Sequence, residues 1–219
     1  MNSTVKVTRW WWIRHAPVVG HGGRIYGQDD HDCDCSHSAL FAALARHLPA
    51  PAVWITSHLR RTHQTAEAIL AHLPPHAVAT RLVEPDLAEQ HFGTWQGRHA
   101  EELCTQRDGA WHRFWLAPAE HAPPGGESFV DLMARVSTAV ERLTAAHTGT
   151  DIVAVTHGGT IRAAIAHALG LDPERALAFA IDNCALTCLD HIHGPAGSHA
   201  PHDHGVWRVR HVNLRPQAS

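Results

Sequence analysis

The 219-residue sequence lacks the features that mark several classes of protein. It has no basic block: Lys and Arg total 18 against 21 Asp and Glu, so no nucleic-acid partner is expected. No apolar run is long enough to cross a bilayer, and the start, "MNSTVKVTRWWW", lacks a signal-peptide pattern, so no membrane partner is expected either. No Gly/Ser-rich or Pro-rich linker divides the chain. These absences predict one soluble domain over residues 1–219, located in the cytoplasm.

Paired cysteines are also missing. Five is an odd number and no CxxC pattern occurs, so a disulfide framework is not expected. The chain does hold 22 histidines, which are scattered rather than gathered in a tag. The run "DHDCDC", residues 30–35, carries metal-ligand types but only half of a zinc motif, so we interpret it as a loop and predict no metal site. The histidines of residues 191–204 fit either an adventitious metal contact or an exposed hairpin tip.

Three segments predict strands that are buried on both faces, because they are continuously apolar and rich in β-branched or aromatic residues. They are residues 10–13, 52–56 and 152–156. Each is followed by apolar residues at helical spacing, and the third of these helices is expected to stop at Gly170. A strand followed by a helix, repeated, predicts an α/β fold. We expect a three-layer sandwich with a mostly parallel central sheet and helices on both faces.

Further patterns complete the predicted architecture. A helix is expected over residues 128–147, where Ser128 is the N-cap and Asp131 closes a capping box. Residues 185–192 and 206–214 predict two strands around a Gly-, Pro- and His-rich loop. Residues 84–126 have weaker periodicity and are expected to form a partly helical cover at the sheet edge.

Ionisable residues follow each of the three buried strands. Arg14 and His15 follow the first, Arg61 lies in "SHLRR" after the second, and His157 follows the third. Ligands of open α/β sheets bind beyond the carboxyl ends of the strands, so neighbouring strands would bring these groups into one pocket. Such a group of cations needs an anionic partner, and the amides of "HGGT", which includes Gly158, add a helix N-terminus. The sequence therefore predicts a phosphate or carboxylate site.

Five motifs, taken in order, resemble those of the histidine phosphatase superfamily, also called the phosphoglycerate-mutase-like family. They are "RHA", "SHLRRTHQTA", "LAEQHFGTWQG", "PPGGES" and "VTHGGTIRA". A single three-letter match would be weak evidence, whereas five in order over roughly residues 7–190 are strong. The resemblance implies a phosphoglycerate-mutase-like fold.

The resemblance also implies a role for each matching residue. His15 would be the nucleophile that forms phosphohistidine, and Glu89 would be the proton donor to the leaving oxygen. Arg14, Arg61 and His157 would hold the phosphoryl oxygens.

A further segment, "GRIYGQDD", is similar to the substrate loop of α-ribazole phosphatases. This likeness implies that Tyr26 and Gln28 contact the substrate, together with Gly158 at the start of the third helix.

These residue types suit phosphoryl transfer. A neutral imidazole is a good nucleophile near neutral pH, and a backbone carbonyl can fix its second nitrogen. Fixed arginines neutralise the charge on phosphoryl oxygens without a metal, so we predict neither a metal nor another cofactor. Glu127 in "GGES" is an alternative acid to Glu89, and Arg60 is interpreted as a bystander beside Arg61. Ala16 replaces the family's usual glycine and would be strained if that position needs a positive φ.

The resemblance favours a histidine acid or neutral phosphatase over a mutase. The stretch from Glu89 to "GGES" is short, whereas the mutases carry a longer insertion there, and a short cover lets water reach phosphohistidine. We therefore expect a phosphomonoesterase for a small phosphorylated metabolite, with α-ribazole phosphate as one candidate. The alternatives are a phosphoglycerate-type mutase, a non-catalytic anion-binding module of the same fold, and a metal-binding protein built on the histidines. The oligomeric state stays open, with a homodimer among the alternatives.

Overall fold

The tryptophan-rich segment near the start of the chain forms an interior strand of a six-stranded sheet. The computed structural model describes residues 5–99, 101–103, 112–194 and 205–217. The strands are β1 (Val7–Arg14), β2 (Ala52–Thr56), β3 (Val78–Val83), β4 (Asp151–Thr156), β5 (Leu186–Ile192) and β6 (Val206–Leu214). Their order across the sheet is β3-β2-β4-β1-β5-β6. β1 is an interior strand of this sheet, and Trp10, Trp12 and Ile13 of its apolar run are fully buried while Trp11 is half-buried.

The sheet is mixed but mostly parallel. β3, β2, β4 and β1 run in parallel, β5 is antiparallel to β1, and β6 is antiparallel to β5. The predicted strands at residues 10–13, 52–56, 152–156, 185–192 and 206–214 are therefore confirmed, with small differences at their ends.

Helices cover both faces of the sheet, as predicted. The helices are α1 (Ser38–Ala45), α2 (Arg60–Leu70), α3 (Phe129–Ala146), α4 (Gly158–Leu169) and α5 (Pro173–Ala176), with short 3-10 turns at Pro75–Ala77, Pro85–Leu87 and Gly93–Trp95. α1 and α2 pack on one face, and α3 and α4 pack on the other. α4 ends at Gly170, whose left-handed conformation closes the helix as the sequence indicates. None of the helices in the described ranges is both long and apolar enough to span a membrane.

Alternation along β1 divides its side chains between the two faces. Trp10 and Trp12 lie on the face covered by α3 and α4, where their rings stack with centroids 4.6 Å apart. Ile13 lies on the opposite face with Phe41 of α1. The Trp10 indole nitrogen donates a hydrogen bond to Thr144 Oγ1 at 3.0 Å, so this buried polar atom is satisfied. Trp10 and Trp12 are fully buried in the hydrophobic cluster on this face, so they are packing residues.

No sequence pattern predicts β3. It lies at one edge of the sheet, it pairs only with β2, and all of its residues are exposed or half-buried. A strand without a buried face has no continuous apolar run and no clear alternation, so its sequence lacks the usual signal. The predicted cover at residues 84–126 contains two of the 3-10 turns, while residues 100 and 104–111 of it lie outside the described residues.

The capping box at the start of α3 is present. Asp131 N donates to Ser128 Oγ at 3.1 Å, and Ser128 N donates to Asp131 Oδ2 at 2.9 Å. We expect Ser128→Ala to lower the free energy of unfolding by about 1 kcal/mol, because an N-terminal amide of the helix loses its acceptor. Urea denaturation monitored by circular dichroism measures this change. Ser128→Thr keeps the hydroxyl and should lose less; an equal loss in both variants would contradict the capping explanation.

Candidate active site

The carboxyl ends of β1 and β4 bring two histidines into contact. Arg14 and Thr156 are opposite each other in the parallel register, and the next residues along the two strands are His15 and His157. His15 N donates to Thr156 O at 2.9 Å, so the register continues one residue beyond the strands. The two imidazole centroids are 5.2 Å apart and both side chains are fully buried. Strand pairing therefore places two histidines, far apart in the sequence, at one point.

His15 is fixed through its backbone and through one ring nitrogen. Nδ1 lies 2.7 Å from the carbonyl oxygen of Ala16, and because a carbonyl only accepts, Nδ1 must carry the proton. Nε2 is buried and has no hydrogen-bond partner among the described residues. The amide of Asn183 donates to His15 O at 2.7 Å, and Ala16 N donates to Thr65 Oγ1 at 2.8 Å. The ring is thus held with the lone pair of Nε2 unused.

His157 is oriented by a residue from the second strand's end. Its Nε2 lies 2.8 Å from Ser57 Oγ, while its Nδ1 is buried without a partner in the described part of the chain. Ser57 comes directly after β2, so three neighbouring strands contribute to this edge of the sheet.

Two arginines, the buried Arg61 and the half-buried Arg14, lie beside the histidines without an ion-paired carboxylate. Arg61 is fully buried, and its Nη1 and Nη2 donate to the carbonyl oxygens of Asp29 at 2.8 Å and Gly27 at 2.6 Å. Arg14 Nη1 donates to Ile181 O at 2.6 Å. The Nε atoms of both arginines are buried and have no partner within the described ranges, and neither arginine has an ion pair there. The buried Arg61 and the half-buried Arg14 therefore lie at the same ends of the strands without an ion pair, although Glu89 is near enough to stabilise the charge of Arg61, and this favours an anionic ligand.

The same environment keeps both imidazoles neutral. Burial lowers the pKa of His15 well below its usual value, and the charges of Arg61 and Arg14 lower it further. Burial and then Arg61 also lower the pKa of His157. A neutral His15 with a protonated Nδ1 is the form in which Nε2 is nucleophilic.

Glu89 is held against the start of α4. Its carboxylate is buried and accepts hydrogen bonds from Gly159 N at 3.1 Å and Gln90 N at 3.0 Å. A side chain at Gly159 would overlap this carboxylate, which explains why a glycine is needed there. The alternative acid, Glu127, is instead paired with Arg135 at 2.6 Å and accepts from His91 N at 2.9 Å. Of these two candidate acids, Glu89 is therefore the one that forms no ion pair with an arginine in the described residues.

The remaining predicted residues border the same pocket. The Tyr26 ring lies 6.3 Å from the His15 ring and 5.2 Å from the Arg61 guanidinium carbon. Gln28 Nε2 donates to Glu89 O at 2.8 Å, which ties the loop after β1 to the Glu89 segment.

Gly158 at the start of α4 is also part of this pocket. An added Cβ there would lie 3.5 Å from Arg14 Nε. The structure thus brings together all the residues that the sequence selects for the site.

The other residues singled out in the sequence have the following places in the structure. Arg60 pairs with Asp30 on the surface at 3.1 Å, as expected of a bystander. Ala16 is buried, and its φ is not positive, so the family's glycine is not required for backbone reasons here. Within the described ranges no group of three or more His, Cys, Asp or Glu side chains is placed to hold a metal ion. Cys104 and residues 195–204 of the His-rich segment lie outside the described residues.

Sequence reasoning missed Arg162, Thr65 and Asn183. Arg162 stands in the motif "VTHGGTIRA", four residues after Gly158, and residues four apart share a face of a helix. That spacing was a usable signal. Thr65 and Asn183 act on the backbone of residues 15 and 16, and nothing in their sequence context indicates this contact.

Comparisons with known proteins find the histidine phosphatase superfamily and several phosphatases. A family model described as "Histidine phosphatase superfamily (branch 1)" matches residues 10–200. A metal-independent phosphoserine phosphatase of Arabidopsis thaliana is 31% identical over 157 residues, 69% of this chain. A glucosyl-3-phosphoglycerate phosphatase of Mycolicibacterium vanbaalenii is 34% identical over 178 residues, 76% of each protein. An adenosylcobalamin/α-ribazole phosphatase of Salmonella typhimurium is 26% identical over 207 residues, 91% of this chain and 98% of that protein. The chain spans 64% of the length of the plant relative.

Solved structures agree with these matches. A mycobacterial glucosyl-3-phosphoglycerate phosphatase superposes on this chain with a TM-score of 0.77 at 28% identity, over 95% of this chain and 100% of that one. The resemblance stated from the motifs and the predicted fold are both confirmed, including the likeness to α-ribazole phosphatases.

The neutral imidazoles give the fold a pH-dependent stability. In the unfolded chain both histidines regain a pKa near 6.5, so at lower pH the unfolded chain binds protons that the folded chain does not. We expect the free energy of unfolding to fall as the pH drops below about 6.5, with up to about 1.4 kcal/mol per pH unit from each group. Urea titrations in phosphate-free buffers over about pH 5 to 7 measure this slope. The double variant His15→Gln, His157→Gln should show a smaller slope; an unchanged slope would contradict buried neutral imidazoles.

Proposed function

Because the chain belongs to branch 1 of the histidine phosphatase superfamily, we propose that it hydrolyses a small phosphomonoester through a phosphohistidine formed on His15. The proposal rests on the unpartnered Nε2 of a neutral His15, which lies beside the buried Arg61 and the half-buried Arg14, neither of which has an ion pair in the described residues. A dianionic phosphoryl group would supply the missing negative charge and present its phosphorus to that nitrogen.

The reaction has two steps. In the first, the lone pair of His15 Nε2 forms a bond to phosphorus while the ester P–O bond breaks, and the carboxyl group of Glu89 gives its proton to the leaving oxygen. In the second, the Glu89 carboxylate takes a proton from water as the water oxygen attacks phosphorus. The N–P bond then breaks, and inorganic phosphate leaves with His15 and Glu89 restored.

The surrounding groups stabilise charge in both steps. Arg14 and Arg61 each have an unused Nε donor, and His157 has an unused Nδ1. These donors are already fixed by carbonyl oxygens or by Ser57, so little reorganisation is needed when charge develops on the phosphoryl oxygens. The arrangement assigns no step to a metal or other cofactor.

The alternative functions are less favoured. A mutase needs phosphohistidine to be shielded from water, and the short cover after Glu89 argues for hydrolysis. A non-catalytic module was suggested by Ala16, but Ala16 has no strained backbone. Three candidate substrates come from the names of the relatives: phosphoserine, glucosyl-3-phosphoglycerate and α-ribazole phosphate. A cytoplasmic location and a homodimer stay predictions.

Removing the nucleophile tests the covalent route. We expect His15→Ala to abolish turnover of p-nitrophenyl phosphate, because the nitrogen lone pair that would attack phosphorus is lost. Acid-labile, alkali-stable phosphate should appear on rapidly quenched wild-type protein and be absent from the variant, with EDTA present throughout. His58→Ala, at an exposed neighbouring position, is the matched control and should behave as wild type. Appreciable turnover by His15→Ala would show that the role of His15 is wrong.

Adjacent arginines provide a matched pair for the charge-stabilising role. We expect Arg61→Gln to lower kcat by at least roughly 10² to 10³, since a donor to the transferring group is lost. Arg60→Gln changes a surface residue paired with Asp30 and should leave kcat within about threefold of wild type. Steady-state kinetics with p-nitrophenyl phosphate measures both. Similar losses in the two variants would contradict the assignment of Arg61.

A further inference from the structure

A third guanidinium, that of Arg162, borders the site and has no part in the proposed phosphoryl transfer. Arg162 lies in the second turn of α4, and only 8% of its surface is exposed. It is four residues beyond Gly158, which faces Arg14. A buried cation is costly unless it has a partner, so its contacts indicate what it is for.

The contacts of Arg162 hold the side chain in place without an ion pair in the described residues. Nε donates to Phe179 O at 2.8 Å, and the guanidinium carbon lies 4.5 Å from the centroid of the Trp115 ring. Within the described ranges no carboxylate forms an ion pair with Arg162, and neither Nη atom makes a hydrogen bond. Burial lowers the pKa of Arg162 to about 10, so the group stays protonated at neutral pH. Arg162 is therefore fixed in position with the N–H groups of Nη1 and Nη2 unused among the described residues.

The fork is next to the proposed phosphoryl pocket. Arg162 Nη1 lies 3.3 Å from the position that a Cβ on Gly158 would take, and the Nε and Cζ atoms of Arg14 lie 3.5 and 3.6 Å from the same position. The two guanidinium groups therefore border one small space. The carboxylate of Glu89 is close enough to stabilise the charge of Arg162, while Arg14 repels it. A group bound by Arg162 would thus be close to a phosphoryl group bound by Arg14.

We propose that Arg162 binds a carboxylate of the substrate that is only a few bonds from the phosphoester oxygen. The site would then prefer phosphorylated hydroxy acids to phosphomonoesters without a second charge. This inference rests on the proposed phosphomonoesterase function and narrows its substrate class. Among the three candidate substrates, it favours phosphoserine and glucosyl-3-phosphoglycerate over α-ribazole phosphate, which has no carboxylate.

A carboxylate fits the fork better than a second phosphoryl group. Two parallel N–H donors match the two oxygens of a planar carboxylate. Such a carboxylate can lie in the plane of the guanidinium group, which itself lies over the Trp115 ring. One positive charge balances one negative charge. A second phosphoryl dianion would leave an excess negative charge close to Glu89.

Two substrates that differ only at this group test the proposal. In 3-phosphoglycerate a carboxylate occupies the place of the hydroxymethyl group of glycerol 3-phosphate. We expect wild-type kcat/KM to favour 3-phosphoglycerate by roughly 10- to 100-fold, the range of a charge-assisted hydrogen-bonded pair. In Arg162→Met, which keeps the length of the side chain but not its charge, this ratio should fall to near one. Arg162→Lys should retain part of it, and Arg175→Met, at an exposed position on α5, should retain all of it.

The outcomes separate this inference from the proposed function. If wild-type protein hydrolyses neither substrate nor p-nitrophenyl phosphate, the phosphomonoesterase function itself is wrong. If it hydrolyses both substrates with equal kcat/KM, or if the ratio persists in Arg162→Met, the function stands and the role of Arg162 is wrong. A preference for 1,3-propanediol bisphosphate over 3-phosphoglycerate that disappears in Arg162→Met would show that the second group is phosphoryl, which also overturns the proposal. The wild-type ratio decides the matter even if Arg162→Met fails to fold.

Discussion

The parallel pairing of β1 with β4 is the constraint on which the site depends. It places Arg14 opposite Thr156, and the residues that follow are the two buried histidines. A shift of one residue in this register would turn every side chain of the shifted strand to the opposite face of the sheet and separate the imidazoles. The tryptophans and the β-branched residues of the two strands prevent that shift, because each face of β1 packs into its own core cluster. The packing of the apolar run before Arg14 thus fixes the position of Arg14 and His15 at the end of β1.

The arginines near the carboxyl ends of the parallel strands are all held by hydrogen bonds to backbone carbonyl oxygens. Arg14 donates to Ile181 O, Arg61 to Asp29 O and Gly27 O, and Arg162 to Phe179 O. Carbonyl oxygens satisfy the hydrogen-bond donors and orient the planes but carry no full charge. The positive charges therefore stay available to a ligand, at a cost in stability that the surrounding fold must offset. A carboxylate in the same places would give a more stable but occupied pocket.

The sequence was sufficient to predict those structural elements whose burial produces a pattern of apolar residues. Buried strands, the capping box at Ser128 and the glycine end of α4 all follow from local signals, and the ordered motifs selected His15 and Glu89. It was insufficient where a contact depends on folding alone. The edge strand β3 has no buried face, and Asn183 contacts His15 O from a segment without periodicity. Arg162 stands in a motif, but only its burial without a carboxylate shows that it is more than a helix surface residue.

In our proposal the unpartnered Nε2 of His15 and the neighbouring cations form one site for a transferring phosphoryl group. A crystal structure of the protein soaked with orthovanadate, which adopts the geometry of that transition state, tests this most directly. We expect vanadium to be bonded to His15 Nε2, with vanadate oxygens within hydrogen-bond distance of Arg14, Arg61 and His157. Vanadate bound elsewhere, or bound at this edge of the sheet without a bond to His15, would contradict it.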